Sequence, residues 1–407
     1  MSRKIPLGIA IAAAFIAAAI SVAVTVTVYS DSYNRLIRDL PQRTSQYAVL
    51  SEIDEIIREH YYGDVELDKV LSNMAAGYIQ GLNDEQCFYI PEENLDAYES
   101  TVAGNIPGTG VTAVYDAASH CLVIRDVAQG SPAAEVGLTA GNRISAVDQT
   151  AVTQTNSSQL INLLFAADKK NTTLELLETG ADGKEARRLV TVRNGYTAQS
   201  CLTNTVGGVG YVVFTDFYPD TAARFDEALT AFTDKGVKSL VIDVRNCQSV
   251  NYEQAAQVID RIVPMAGEGI GAIAAAMDKN GNTVRLFSSG SDQVNMTIAV
   301  LINDRTAGAA ELLACDLRDF GKAKLFGEKT AGEGSYPELF SLEDGGAVLL
   351  AVAKIHPYLS EPYDGVGVLP DTEIPLTDAE KNALPAAQPQ NDAQFAAAYA
   401  FLTGNPG

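Results

Sequence analysis

Residues 5–29 are apolar or small without a single charge, and Arg3 and Lys4 stand just before them. At helical rise such a run crosses a hydrocarbon core of ~30 Å. It is also longer than the ~7–15-residue apolar stretch of a cleaved leader. Residues 1–30 are therefore expected to form a cytoplasmic tip and a retained signal anchor, the one transmembrane helix of the chain. Positive flanking charge stays on the cytoplasmic side. The expected topology is a single-pass cell-membrane protein with its N-terminus in the cytoplasm and its bulk extracytoplasmic. One span excludes a transporter.

The rest has the balance of a folded protein, with 47% hydrophobic and 20% charged residues. Its length of 407 residues allows two or three domains. A net charge of −22 repels phosphate backbones, so nucleic acid is not expected as a partner. Cys87, Cys121, Cys201, Cys247 and Cys315 are scattered without a Cys-x-x-Cys pair, which suits small core residues. His60, His120 and His356 are also far apart. Neither a metal site nor a Ser-His-Asp triad is suggested, and no cofactor is called for.

Along residues 31–103 the pattern is helical, with Ile53, Ile56 and Ile57 on one face and Val70, Leu71 and Met74 continuing after a break at Tyr61-Tyr62-Gly63-Asp64. Over residues 104–195 it changes to short β-branched runs such as Cys121-Leu122-Val123-Ile124, punctuated by Gly and Pro. Over residues 196–380 strands and helices alternate: 210–214 as strand, 221–234 as helix, 239–244 as strand, 252–262 as helix. The tail, 381–407, is rich in Ala, Pro and Gln, with a helical stripe only from Phe395 to Leu402. The expected class is a multidomain α/β (α+β) protein.

The run Gly130-Ser131-Pro132-Ala133-Ala134-Glu135-Val136-Gly137-Leu138, followed by Gly141-Asn142-Arg143-Ile144 and Val147-Asp148, closely resembles a bacterial PDZ domain. Ser131 and Pro132 start a short helix, Gly137 ends it, and Ile144 with Val147 begins a buried strand. A later helix from Ser157, with Leu160, Ile161 and Leu164 apolar, would wall a groove. The resemblance implies that Gly108-Thr109-Gly110-Val111 receives a C-terminal carboxylate on converging backbone N–H groups. The implied partners are unstructured protein C-termini.

Three later stretches are similar to the C-terminal processing (tail-specific) serine peptidases. They are Leu240-Val241-Ile242-Asp243-Val244-Arg245-Asn246, Asn303-Asp304-Arg305-Thr306-Ala307-Gly308-Ala309-Ala310-Glu311, and Gly327-Glu328-Lys329-Thr330-Ala331-Gly332-Glu333-Gly334. Gly365-Val366-Gly367-Val368-Leu369-Pro370-Asp371 closes the unit. The resemblance implies an α/β core of the ClpP/crotonase-like type and a serine nucleophile whose base is a lysine held neutral by its pocket. Counting back from Glu311, the nucleophile position holds Gly308. The lysine position holds Glu333, and the orienting glutamine position holds Pro337. Where the family has a glycine pair near the oxyanion, Ser249 and Val250 stand. Lys329 and Ser335 are the nearby side chains able to substitute, Lys329 four residues early and Ser335 on the lysine strand.

The scaffold motifs thus persist while nucleophile, base and oxyanion glycines are absent. That pattern predicts a pseudopeptidase that binds polypeptide and does not cut it. Such a protein can pair with an active paralogue or with itself as an oligomer. The competing expectations are an active serine endopeptidase using a different dyad and a structural envelope scaffold.

Overall fold

The computed structural model describes residues 47–128, 130–166, 169–179, 185–263, 272–290, 294–382, 384 and 392–404. The expected membrane anchor at residues 1–30 lies outside them. Among the described residues no helix is long and apolar enough to cross a membrane. The chain divides into two compact units, Met1–Asn73 and Met74–Gly407.

Residues 47–60 form α1 and Leu67–Gln80 form α2, on either side of the expected break. The apolar stripe of α1 is left in solvent, with Ile53 46% and Ile56 51% exposed. After α2 come the short strand β1 (Phe88–Ile90) and the helix α3 (Glu92–Val102).

The expected PDZ segment folds as an antiparallel sheet with two small helices. Its elements are β2 (Asn105–Ile106), β3 (Val111–Asp116), β4 (Cys121–Val127), α4 (Pro132–Glu135), β5 (Arg143–Val147), β6 (Thr150–Ala151), α5 (Ser157–Leu164), β7 (Asn171–Thr179), β8 (Glu185–Arg193) and β9 (Tyr196–Thr197). The sheet order is β3-β4-β5-β7-β8, with β6 beside β5 and with β2 pairing β9 separately. Ser131 caps α4 by accepting from the Ala134 N–H at 3.3 Å, and Pro132 fills the first turn, where no N–H is needed. Val111, Leu122, Ile144, Val147, Leu160, Leu164 and Leu174 make one core.

The larger part is layered. A sheet ordered β10-β11-β12-β16-β18-β21 is built from Cys201–Val206, Val209–Phe214, Ser239–Asp243, Thr297–Ile302, Ala323–Gly327 and Thr372–Glu373. Its first pair is antiparallel and the others are parallel. Both faces are covered, which is why β11, Val-Gly-Tyr-Val-Val-Phe, is buried at every position. On one face Val212, Phe214, Leu240, Ile242 and Val300 meet α6 (Thr221–Asp234), α7 (Tyr252–Asp260) and α8 (Ala309–Asp319). Phe225, Leu229 and Phe232 of α6 recur at helical spacing and are all buried.

Beyond these helices lies a second, antiparallel sheet of β1, β14 (Ala272–Met277), β15 (Thr283–Ser288), β19 (Ser335–Ser341) and β20 (Ala347–His356). Two further strands, β13 (Gln248–Ser249) and β17 (Ala307–Gly308), make a small parallel pair of their own. A short helix, α9 (Asp378–Asn382), follows β21.

The opposite face of the parallel sheet is covered by α10 (Ala393–Thr403), which contains the stripe expected from Phe395 to Leu402. Phe395 and Ala398 pack on Tyr211, Val213, Val241 and Leu301. The helix is fastened by a buried network around Arg245, itself 1% exposed. Arg245 Nε donates to Asp243 Oδ1 at 2.9 Å and Nη1 to Gln394 Oε1 at 3.0 Å. Nη2 lies 2.6 Å from Asp392 Oδ2, and Tyr211 donates to Asp243 at 2.7 Å.

Candidate active site

The site forms where β16 hands over to α8. Thr306 turns the chain there, its hydroxyl donating to the Val244 carbonyl at 2.9 Å, and β17 then runs beside β13 with Ser249 opposite Gly308. Gly308 is the last residue before α8, with φ +67°. That conformation suits glycine. The Gly308 carbonyl accepts from the Tyr363 hydroxyl at 3.0 Å.

Glu311, one turn into α8 and fully buried, gathers the pieces. Its Oε2 accepts from Gly308 N–H at 3.0 Å and Glu333 N–H at 2.8 Å. Its Oε1 accepts from Gly332 N–H at 2.8 Å and from the Thr330 hydroxyl. Burial lifts this carboxyl above its ordinary range, against the hydrogen bonds that pull it down. One carboxylate therefore binds the main chain at both the expected nucleophile position and the expected base position. The backbone N–H groups of Gly308 and Glu333 thus meet at a single oxygen of Glu311.

Pro337 lies on β19, opposite Ala351 and directly after an irregularity in the β19–β20 register. Of these three positions, Glu333 alone lines the cavity beside the site, a space of ≈ 380 Å³ also bounded by Gln86, Met277, Ser335, Lys354 and His356. Glu333 Oε2 accepts from Gln86 Nε2 at 3.0 Å. Gln86 carries no sequence signal for this role, being 247 residues away.

The space a side chain at the expected nucleophile position would need is filled by main chain. A Cβ added to Gly308 would lie 2.1 Å from the Ser249 carbonyl oxygen and 3.1 Å from its carbon. Ser249 is 9% exposed, its hydroxyl accepts from Asn251 N–H at 3.3 Å, and Val250 is 40% exposed. Tyr252 completes the enclosure: its hydroxyl sits 3.7 Å from the same Cβ position and donates to the Ser335 carbonyl at 3.0 Å. Burial pushes the phenols of Tyr252 and Tyr363 up, so neither ionises to serve as a nucleophile near neutral pH. Sequence reading missed both tyrosines, because their function depends on packing around Gly308.

Ser335 stands opposite Lys354 across the β19–β20 ladder. Lys354 is bound to Asp364 at 2.7 Å, and that hydrogen bond raises its pKa. An ammonium so paired is not a proton acceptor. The Lys329 Cε approaches the Gly367 position, 3.2 Å from where a Cβ would be. The five cysteines are free, and burial pushes Cys201 and Cys315 up to about 12. Thiolate chemistry is correspondingly unfavourable there.

In the smaller module, Gly108 and Gly110 have φ of +82° and +81°, and Thr109 between them is fully buried.

Residues 208–374 match peptidase family S41. The chain is 26% identical over 340 residues to the carboxy-terminal processing protease CtpA of Bacillus subtilis (strain 168), covering 83% of this chain and 71% of that protein. It is 27% identical over 324 residues to the carboxyl-terminal-processing protease of Synechocystis sp., covering 77% and 72%. Among solved structures, a putative S41 protease from Bacteroides fragilis aligns with a TM-score of 0.56 at 18% identity, covering 86% of this chain and 99% of that one. The chain is homologous to the C-terminal processing serine peptidases, and its residues 208–374 match the peptidase S41 family model.

Proposed function

We propose that the protein is a pseudopeptidase, anchored in the cell membrane with its folded part extracytoplasmic, that binds unstructured polypeptide tails through a PDZ module and does not cleave them. One observation carries the loss of cleavage: the Ser249 carbonyl lies where the side chain of residue 308 would begin, 2.1 Å from the position of a Cβ. Besides lacking a hydroxyl, the position has no room for one. The base position holds the carboxylate of Glu333, and removal of a triad-type nucleophile alone costs on the order of 10⁶ in rate. The Gly-Ser-Pro-Ala-Ala run and the packing of α5 on β3 through Val111, Ala113, Leu160 and Leu164 support retained binding. An active paralogue or a second copy is the natural partner for an inactive member.

The deciding experiment incubates the full-length protein with unfolded, apolar-tailed substrates and with a serine-directed fluorophosphonate. Neither cleavage nor labelling is expected. Cleavage abolished by Ser335→Ala would instead establish an active endopeptidase with a different dyad.

A further inference from the structure

The loop Gly108-Thr109-Gly110-Val111 is pinned on both sides. Thr109 N–H, one of the donors a ligand carboxylate would use, gives its hydrogen bond to the Leu164 carbonyl at 2.7 Å. The Thr109 hydroxyl contacts the same carbonyl at 3.2 Å and accepts from Val111 N–H at 3.4 Å. Two of the loop's donors are thereby occupied within the protein. The approach is tight: a Cβ on Gly108 would be 2.3 Å from the Leu164 oxygen, and one on Gly110 would be 2.2 Å from the Ser131 Cβ. The carbonyls of the last turn of α5 are the negative end of that helix, so they oppose an entering carboxylate.

We infer that α5 is a latch on the peptide-binding module: its last turn holds the carboxylate loop shut, and a tail binds only by displacing the Leu164 carbonyl from Thr109 N–H. This rests on the module being a peptide binder, as proposed above. The latch makes resting affinity low by design of the fold, since each ligand hydrogen bond at Thr109 replaces one already made. It also assigns the Thr109 hydroxyl a restraining function, because it tethers Leu164 and occupies Val111 N–H together.

The test is calorimetric titration of the full-length protein in detergent with a peptide ending in apolar residues, as the free acid and as the amide. Thr109→Val and Thr109→Ala should each bind the acid at least threefold more tightly than the parent, and more tightly than they bind the amide. Equal or weaker acid binding by folded variants overturns the latch. Equal binding of acid and amide by every form also overturns it while leaving peptide binding in place, and absence of all binding removes peptide recognition itself. Amide hydrogen exchange of the unliganded parent needs no variant: Thr109 N–H should be protected, and exchange at the rate of an open loop would overturn the latch.

Discussion

Restoring a serine to the nucleophile position should damage the protein before it does anything for catalysis. In Gly308→Ser the new Cβ meets the Ser249 carbonyl oxygen at 2.1 Å, a main-chain atom held by the β13–β17 pair, so relief requires moving the strand end. The residue must also adopt φ of +67° with a side chain. Backbone strain of that kind costs about 1–3 kcal/mol. Overpacking a filled site adds about 1–3 kcal/mol. A loss of roughly 2–6 kcal/mol is therefore expected in urea unfolding followed by fluorescence of the buried tyrosines. Gly308→Ala should cost about as much, because the clash belongs to the Cβ and not to the hydroxyl. Adding Ser249→Gly and Val250→Gly should recover part of the loss by freeing the strand end to swing. Either single variant unfolding within 0.5 kcal/mol of the parent, or gaining proteolytic activity, would refute the occupied-slot account.

Arg245→Ala should destabilise by roughly 3–5 kcal/mol, since it leaves the buried carboxylates of Asp243 and Asp392 without their partner; a much smaller change in unfolding free energy would mean that α10 is held by Phe395 and Ala398 alone. Asp278, which collects the amides and side chains of Asn280 and Asn282, has its carboxyl lowered from 3.8 to about 2. A depressed folded-state value stabilises the β14–β15 turn above 3.8 and loses that contribution as pH falls through about 2, so a carbon-13 carboxyl titration should find its midpoint well below that of an exposed aspartate. Deleting residues 1–30 should release a soluble folded protein while the full chain fractionates with membrane; full-length protein in the soluble fraction would remove the anchor.

What could be read along the chain was what local pattern determines. The strand–helix alternation at 210–214, 221–234, 239–244 and 252–262 is found as β11, α6, β12 and α7, because strands buried on both faces read as continuous apolar runs and helices read as stripes. Counting back from Glu311 gave Gly308 and the Gly327–Gly334 stretch gave Glu333; what sequence does not show is that Glu311 accepts from the N–H of each. The packing of α10 was not visible, since its Ala-rich stripe has no polar face to orient it and its anchor, Arg245, is 147 residues from Asp392 by number. The apolar face read on α1 is exposed at Ile53 and Ile56.

On the proposed reading, the donors to Glu311 explain how the scaffold can outlast the chemistry. Three of its hydrogen bonds come from the main-chain N–H groups of residues 308, 332 and 333, and the fourth from Thr330. None requires a catalytic side chain, so a serine or a lysine can be exchanged at 308 or 333 without unfastening α8 from the strand that follows. The oxyanion strand is different. With Ser249 and Val250 in place of glycines its course brings a carbonyl to the position a Cβ at 308 would need, and no residue but glycine can then follow Ala307 without strain. Gly308 and the path of residues 248–250 are thus one structural state: each permits the other, and a change at one position alone moves the protein away from it without reaching an active arrangement.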